Sequence, residues 1–170
     1  MRKEDLAKKL FDEKLAVIGD YGNFHIKFNW LAQRKRLQHE FVCNMADAFS
    51  LLRNQNEKDL RIIFNMPQCN GLVGVLAKEL DLGKFAEYYG KLGQAYDFSS
   101  GSEYVMISGC ISDGRSICDA DALLQQHNAH IKYGLYFVDL QNWSDALRNM
   151  PVKIYSTLTK ADLEKALQNK

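Results

Sequence analysis

The densest run of groups able to hold an anion is Ser108-Gly109-Cys110-Ile111-Ser112-Asp113-Gly114-Arg115-Ser116. Its two glycines let the backbone turn tightly and bring N–H groups close to a ligand. Arg115 carries a planar fork that pairs bidentately with phosphate or carboxylate. Ser112 and Ser116 add hydroxyls, and Asp113 suits a general base or a cation ligand. Ser-Asp-Gly is also a plain turn tripeptide, so a purely structural reading stands beside the chemical one. A second stretch, Asp139-Leu140-Gln141-Asn142, follows the apolar run Gly134–Val138. There Asp139 serves either as a catalytic carboxylate at a strand end or as a helix cap. A third, Asn65-Met66-Pro67-Gln68-Cys69-Asn70-Gly71, offers Asn65 and Asn70 as hydrogen-bond donors to an anion, or Asn70 as an N-cap.

Named motifs are missing. Gly71-Leu72-Val73-Gly74 and Lys78 have the wrong spacing for a phosphate-binding P-loop, and no G-x-G-x-x-G occurs. Gly109 to Gly114 is one residue too long for a G-x-S-x-G nucleophile elbow, and His39-Glu40 lacks the second histidine of H-E-x-x-H. His127 and His130 share one face of an expected helix, but no Cys-x₂₋₄-Cys spacing accompanies them, so surface histidines are expected there rather than a zinc site. Cys69 and Cys110 each follow an expected strand, where a helix N-terminus lowers a thiol pKa; buried inert cysteine is the commoner outcome. Trp30 beside Arg34-Lys35-Arg36 is read as a packed ring at a solvated helix start rather than a nucleic-acid platform.

These groups need elements to position them. Leu6, Leu10 and Phe11 predict an amphipathic helix over 3–14, and alternation at Phe24, Ile26 and Phe28 predicts a β-hairpin over 15–29. The stripe Leu37, Phe41, Met45, Phe49 and Leu52 predicts a helix over 31–53. Beyond a polar loop, strands are expected at 60–64, 104–107, 134–138 and 152–155, with helices at 72–80, 84–92, 119–130 and 143–150 between them. The 84–92 helix would carry Phe85, Tyr88 and Tyr89. Asn142 or Ser144 would cap the helix before Pro151, and Thr159-Lys160-Ala161-Asp162 resembles a capping box opening a last helix. Strands separated by helices favour an α/β fold: a mainly parallel sheet flanked by helices on both faces, with an antiparallel N-terminal hairpin. In such a sheet ligands bind beyond the carboxyl ends of the strands, which selects the three loops above.

The chain has 170 residues, 46% apolar and 25% charged, which fits one domain spanning 1–170 and excludes disorder as the main state. A net charge of +1 gives no global reason for a polyanionic partner, so nucleic acid is not expected. No apolar run reaches the ~20 residues that span a bilayer, and four scattered cysteines fit a reducing cytoplasm. Two functions from different classes are compatible with this reading. One is a cytoplasmic protein, catalytic or not, that takes a small phosphate- or nucleotide-like anion at the strand-end loops, with room for Mg²⁺ on the two aspartates. The other is a non-catalytic protein–protein interaction module of inhibitor, immunity or assembly type, using Trp30, Tyr88 and Tyr89 as contacts.

Overall fold

The computed structural model describes residues 2–19, 23–53, 60–65, 70–82, 85–89, 94–96 and 99–169. Helix α1 (Lys3–Asp12) leads into the hairpin β1 (Ala16–Ile18) and β2 (Phe24–Ile26), the one-turn helix α2 (Phe28–Leu31) and the long helix α3 (Lys35–Leu52). Then follow β3 (Arg61–Asn65), α4 (Asn70–Glu79), β4 (Phe85–Tyr89), β5 (Gln94–Tyr96), β6 (Glu103–Ile111) and α5 (Arg115–Gln125). The chain finishes with β7 (His130–Asp139), α6 (Asp145–Arg148), β8 (Lys153–Thr159) and α7 (Lys160–Gln168).

The main sheet runs β5-β4-β3-β6-β7-β8, and every neighbouring pair in it is parallel except β4 with β5. The expected α/β fold is therefore the observed one. The hairpin forms its own two-stranded antiparallel sheet beside the main one, with Phe24 edge-on to Phe11 of α1 at 6.1 Å.

Alternation along the central strands assigns the two faces. Ile62, Phe64, Val105 and Ile107 join a core with α1, α3, α4 and α7, through Leu10, Phe41, Leu76 and Leu163. Ile63, Tyr104 and Met106 point the other way, into a second core with Ile117, Ala120 and Leu124 of α5 and Leu147 of α6. Strand β7 is buried from Tyr133 to Asp139, as a parallel strand covered on both faces must be. Phe28 and Phe41 both pack on Phe137 at 6.0 Å, so α2 and the start of α3 lie over its carboxyl half. On the other face the buried carboxylate of Asp121 ties α5 to β7, accepting from the Ile131 and Gln125 N–H groups at 2.6 Å each.

Several expectations are corrected. Residues 85–89, expected in a helix, form β4: a short aromatic run fits both periods, and the open edge of β3 decides in favour of a strand. Phe28, expected as a strand residue, opens α2. Strands β6 and β7 are much longer than their apolar cores predicted, because pairing carries the ladder through Ser108, Gly109 and Cys110 on β6 and back to His130 on β7. Helix α5 starts at Arg115 rather than 119, so Arg115 and Ser116 occupy its first turn instead of a loop. Of the expected turn Gly19-Asp20-Tyr21-Gly22-Asn23, residues 20–22 lie outside the described residues, as does the expected polar loop at 54–59.

The capping box that opens α7 is formed: Thr159 Oγ1 accepts from the Asp162 N–H at 3.3 Å, and Asp162 Oδ2 accepts from the Thr159 N–H at 2.8 Å. Thr159→Ala is expected to lower the unfolding free energy by about 1 kcal/mol, whereas Thr159→Ser keeps most of it. Urea denaturation of the three proteins measures the difference.

Candidate functional site

The sheet has a topological switch between β3 and β6. From β3 the chain crosses to β4 on one side, and from β6 it crosses to β7 and β8 on the other. Pairing of β3 with β6 ends at Phe64 and Ile107, yet β6 continues to Ile111 in register with Asp139 of β7, itself in register with Thr159 of β8. The β6–β7–β8 half thus stands higher than β3 at the carboxyl edge, and its loops form the rim of a step.

Two of those loops are joined directly. The Leu140 N–H donates to the Ile111 carbonyl at 2.8 Å, and the Ser144 N–H donates to the Asp113 carbonyl at 3.0 Å. Gly114, at φ +80°, lies so close to α6 that a Cβ there would sit 2.4 Å from Leu147 Cδ2. Asp113 is exposed and its Oδ1 accepts from the Arg115 N–H at 3.0 Å, which folds the turn into the first residues of α5. Arg115 and Ser116 are exposed on that first turn, and Ser112 is half-buried behind it. A helix N-terminus carries unpaired N–H groups and favours anions.

Asp139 differs from Asp113. It is 7% exposed, and its Oδ1 accepts from the Gln141 N–H at 2.7 Å and the Trp143 indole Nε1–H at 2.9 Å. Gln141 adopts φ +59°, and Ser144 caps α6 by accepting from the Leu147 N–H at 3.3 Å. Beneath this loop, on β7, Tyr136 is 2% exposed, and its hydroxyl has no hydrogen-bond partner among the described residues. Burial above all, with Cys118 and Asp139 adding, pushes its phenol well above the ordinary range. Burial likewise raises the Cys118 thiol, helped by Asp119, Asp121 and Asp113, so Cys118 is no ready thiolate.

The structure therefore brings Ser112, Asp113, Arg115, Ser116 and Asp139 to one edge. Asn65 ends β3 in register with Tyr88, and Asn70 opens α4 as expected; the side chains of both, and residues 66–69 between them, lie outside the described residues. Cys69 falls in that segment. Cys110 sits within β6 opposite Val138 rather than before a helix, because the strand outruns its expected end. His130 opens β7 beside Glu103 and shares no helix face with His127. Among the described residues no group of three or more His, Cys, Asp or Glu side chains is placed to hold a metal ion, and no helix is long and apolar enough to cross a membrane. Sequence reasoning placed Gln141 in a candidate loop and Trp143 and Leu147 in the helix expected at 143–150, but gave none of the three a part in the site. An Asp two residues before an amide that it can cap is a weak turn signal, whereas nothing local marks the Trp143 indole as its partner.

No protein-family model matches the chain. An orotate phosphoribosyltransferase from Chlamydia caviae is 36% identical over 74 residues, which are 43% of this chain; the chain thus spans 36% of that curated relative's length. Among solved structures, UMP synthase of Leishmania donovani superposes with a TM-score of 0.75 at 15% identity over 99% of this chain and 39% of the other. Orotate phosphoribosyltransferase from Aeropyrum pernix gives 0.74 at 15% identity over 97% and 99% of the two chains. The Mycobacterium tuberculosis H37Rv orotate phosphoribosyltransferase in complex with 5-phospho-α-D-ribosyl 1-diphosphate (PRPP) gives 0.68 at 12% identity over 95% and 98%. The chain has the α/β fold of these phosphoribosyltransferases.

Two outcomes follow from the packing under the rim. Gly114→Ala meets both a positive φ and Leu147, and is expected to cost about 2 kcal/mol in urea denaturation. Tyr136 keeps its proton in the folded chain to higher pH than in the unfolded chain, whose phenol titrates near 10.0. Its contribution to stability is complete below that pH and is lost as pH rises above it. The denaturation midpoint should thus fall above about pH 10, and less steeply in Tyr136→Phe. At pH 7 that variant, which removes an unpaired hydroxyl, should be neutral or more stable by up to ~1 kcal/mol.

Proposed function

We propose that this chain binds a phosphorylated ribose ligand, of the class that includes PRPP and nucleoside monophosphates, at the carboxyl ends of β6 and β7. The observation that carries the reading is the Asp113–Ser144 backbone bridge, which joins two strand-end loops into one rim holding exposed Asp113, Arg115 and Ser116. The phosphoribosyltransferase fold, and the PRPP complex of one protein that shares it, support the same ligand class.

In this reading the first turn of α5 and the Arg115 guanidinium meet phosphate oxygens, the helix end through its N–H groups and Arg115 through paired donors. Ser112 and Ser116 supply hydroxyl donors beside them, and Asn65, the last residue of β3, and Asn70, the first of α4, are the further donors proposed. Asp113 is an exposed carboxylate on this turn, available to a ribose hydroxyl or to Mg²⁺. A magnesium ion here takes most of its ligands from phosphate and water, because Mg²⁺ commonly binds through one or two carboxylates plus substrate phosphate. Transfer of the phosphoribosyl group breaks the bond from ribose C1 to the diphosphate oxygen, which leaves with the electron pair, while a nitrogen of the acceptor base bonds to C1 and gives up its proton to solvent. Arg115 and the α5 amides would stabilise the charge growing on the leaving diphosphate. The alternative of a non-catalytic interaction module rests on Trp30, which is not packed as expected but 55% exposed, with the Lys27 ammonium 5.1 Å from its ring centre.

Thermal unfolding with PRPP, UMP or pyrophosphate, each with and without Mg²⁺, tests the ligand class. Wild type should be stabilised by several degrees at saturating PRPP, and Arg115→Ala should need at least tenfold more ligand for the same shift. Release of pyrophosphate from PRPP and orotate tests transfer. No shift with any of these ligands would refute the proposal and leave the interaction module.

A further inference from the structure

Among the described residues, four other than glycine adopt the left-handed conformation: Lys14, Asp81, Asn128 and Gln141. Each costs of order 1 kcal/mol relative to ordinary backbone and persists only where something enforces it. For three of them the enforcement is a closed helix end. After α1, the Leu15 and Lys14 N–H groups donate to the carbonyls of Leu10 (2.8 Å) and Phe11 (3.0 Å). After α4, those of Leu82 and Asp81 donate to Ala77 (3.0 Å) and Lys78 (3.3 Å). After α5, those of Ala129 and Asn128 both donate at 3.1 Å, to Leu124 and Gln125. These are paired bonds that turn a helix off with a left-handed residue.

Gln141 has no helix behind it. It follows β7 by two residues, and its N–H donates to Asp139 Oδ1 at 2.7 Å. The same oxygen accepts from Trp143 Nε1 at 2.9 Å, so one buried atom fixes both the strained residue and the ring that follows it. Next in the chain is Ser144, whose N–H makes the bridge to Asp113. The order of dependence runs from Asp139 to the 141–143 turn, to Ser144, to the loop that carries Asp113 and Arg115.

We infer that Asp139 is a positioning residue for the rim: its Oδ1 holds Gln141 in the left-handed conformation and anchors the Trp143 indole, and so sets the loop against which the α5 turn is bridged. The inference rests on the phosphorylated-ribose reading for the identity of the ligand, but the hold on Gln141 and Trp143 exists in the free protein. It changes the role expected of this carboxylate from touching ligand to shaping the place where ligand sits.

The indole N–H resonances of the ¹⁵N-labelled full chain, with Trp143→Phe to separate Trp143 from Trp30, give a readout that needs no ligand. In Asp139→Ala the Trp143 resonance should move towards that of exposed Trp30 and exchange with solvent at least tenfold faster. PRPP affinity should fall at least tenfold, and adding Gln141→Gly, which adopts the turn without strain, should recover part of it. Asp139→Asn keeps an oxygen acceptor and an intact fold, so it should leave the indole bonded and weaken PRPP by no more than about threefold. An unchanged indole in Asp139→Ala would overturn the inference. So would loss of PRPP binding in Asp139→Asn with its indole still bonded, since the carboxylate charge would then be the ligand contact. Failure of wild type to bind PRPP counts against the ligand class alone, because the indole readout in the free protein still decides the role of Asp139.

Discussion

Burying a carboxylate costs several kcal/mol unless hydrogen-bond donors replace the water it loses. Among the described residues two are buried, Asp121 bonded to β7 from α5 and Asp139 at the end of β7, the middle strand of the β6–β7–β8 half. Asp121 solves the problem at the amino end of β7 with donors from the strand and its own helix. Asp139 solves it at the carboxyl end with donors from the residues that follow. The second solution has a geometric consequence that the first lacks. To bring an N–H and an indole to one oxygen, the chain must double back immediately after the strand, through a left-handed residue. Everything above the sheet at that point, including the short α6 and the turn before α5, is built on that reversal.

The parallel sheet explains why such a reversal matters. Its strands deliver their carboxyl ends to one side, and the crossover direction changes between β3 and β6. Helices α1, α3, α4 and α7 pack on one face of β3, β6 and β7, and α5 and α6 pack on the other. The carboxyl edge is where backbone groups run out of partners. There the N-terminus of α5 and the exposed Asp113, Arg115 and Ser116 meet, over a floor of residues such as Tyr136 that are apolar in effect though not in composition.

Much of the architecture was legible in the sequence because it depends on periodicity. The stripe from Leu37 to Phe49 dictates one helix face, and the apolar run Ile62-Ile63-Phe64 forms the strand expected at 60–64, with helices on both faces as expected. What periodicity could not decide was the five-residue run Phe85–Tyr89, which satisfies a helix and a strand alike until β3 offers an edge. Strand lengths were underestimated for a related reason. Ser108, Gly109 and Cys110 look like loop residues, but a ladder flanked by β7 holds them extended whatever their side chains prefer. In the site, Asp113, Arg115 and Asp139 stood out by type and position. Their different environments did not: that one carboxylate is exposed and the other buried follows from Trp143 folding back, a contact with no local signature.

Gly114 and Leu147 leave a mark beyond energetics. The glycine's α-carbon and the leucine side chain fill a single space between the start of α5 and α6, with no room for another atom. The two positions are consequently not independent letters of the sequence. A larger residue at 114 demands a shorter one at 147 and a backbone that tolerates positive φ, so the pair can only drift together. Among relatives that keep this rim, the two columns should covary; where they have come apart, the two loops have been let go of one another.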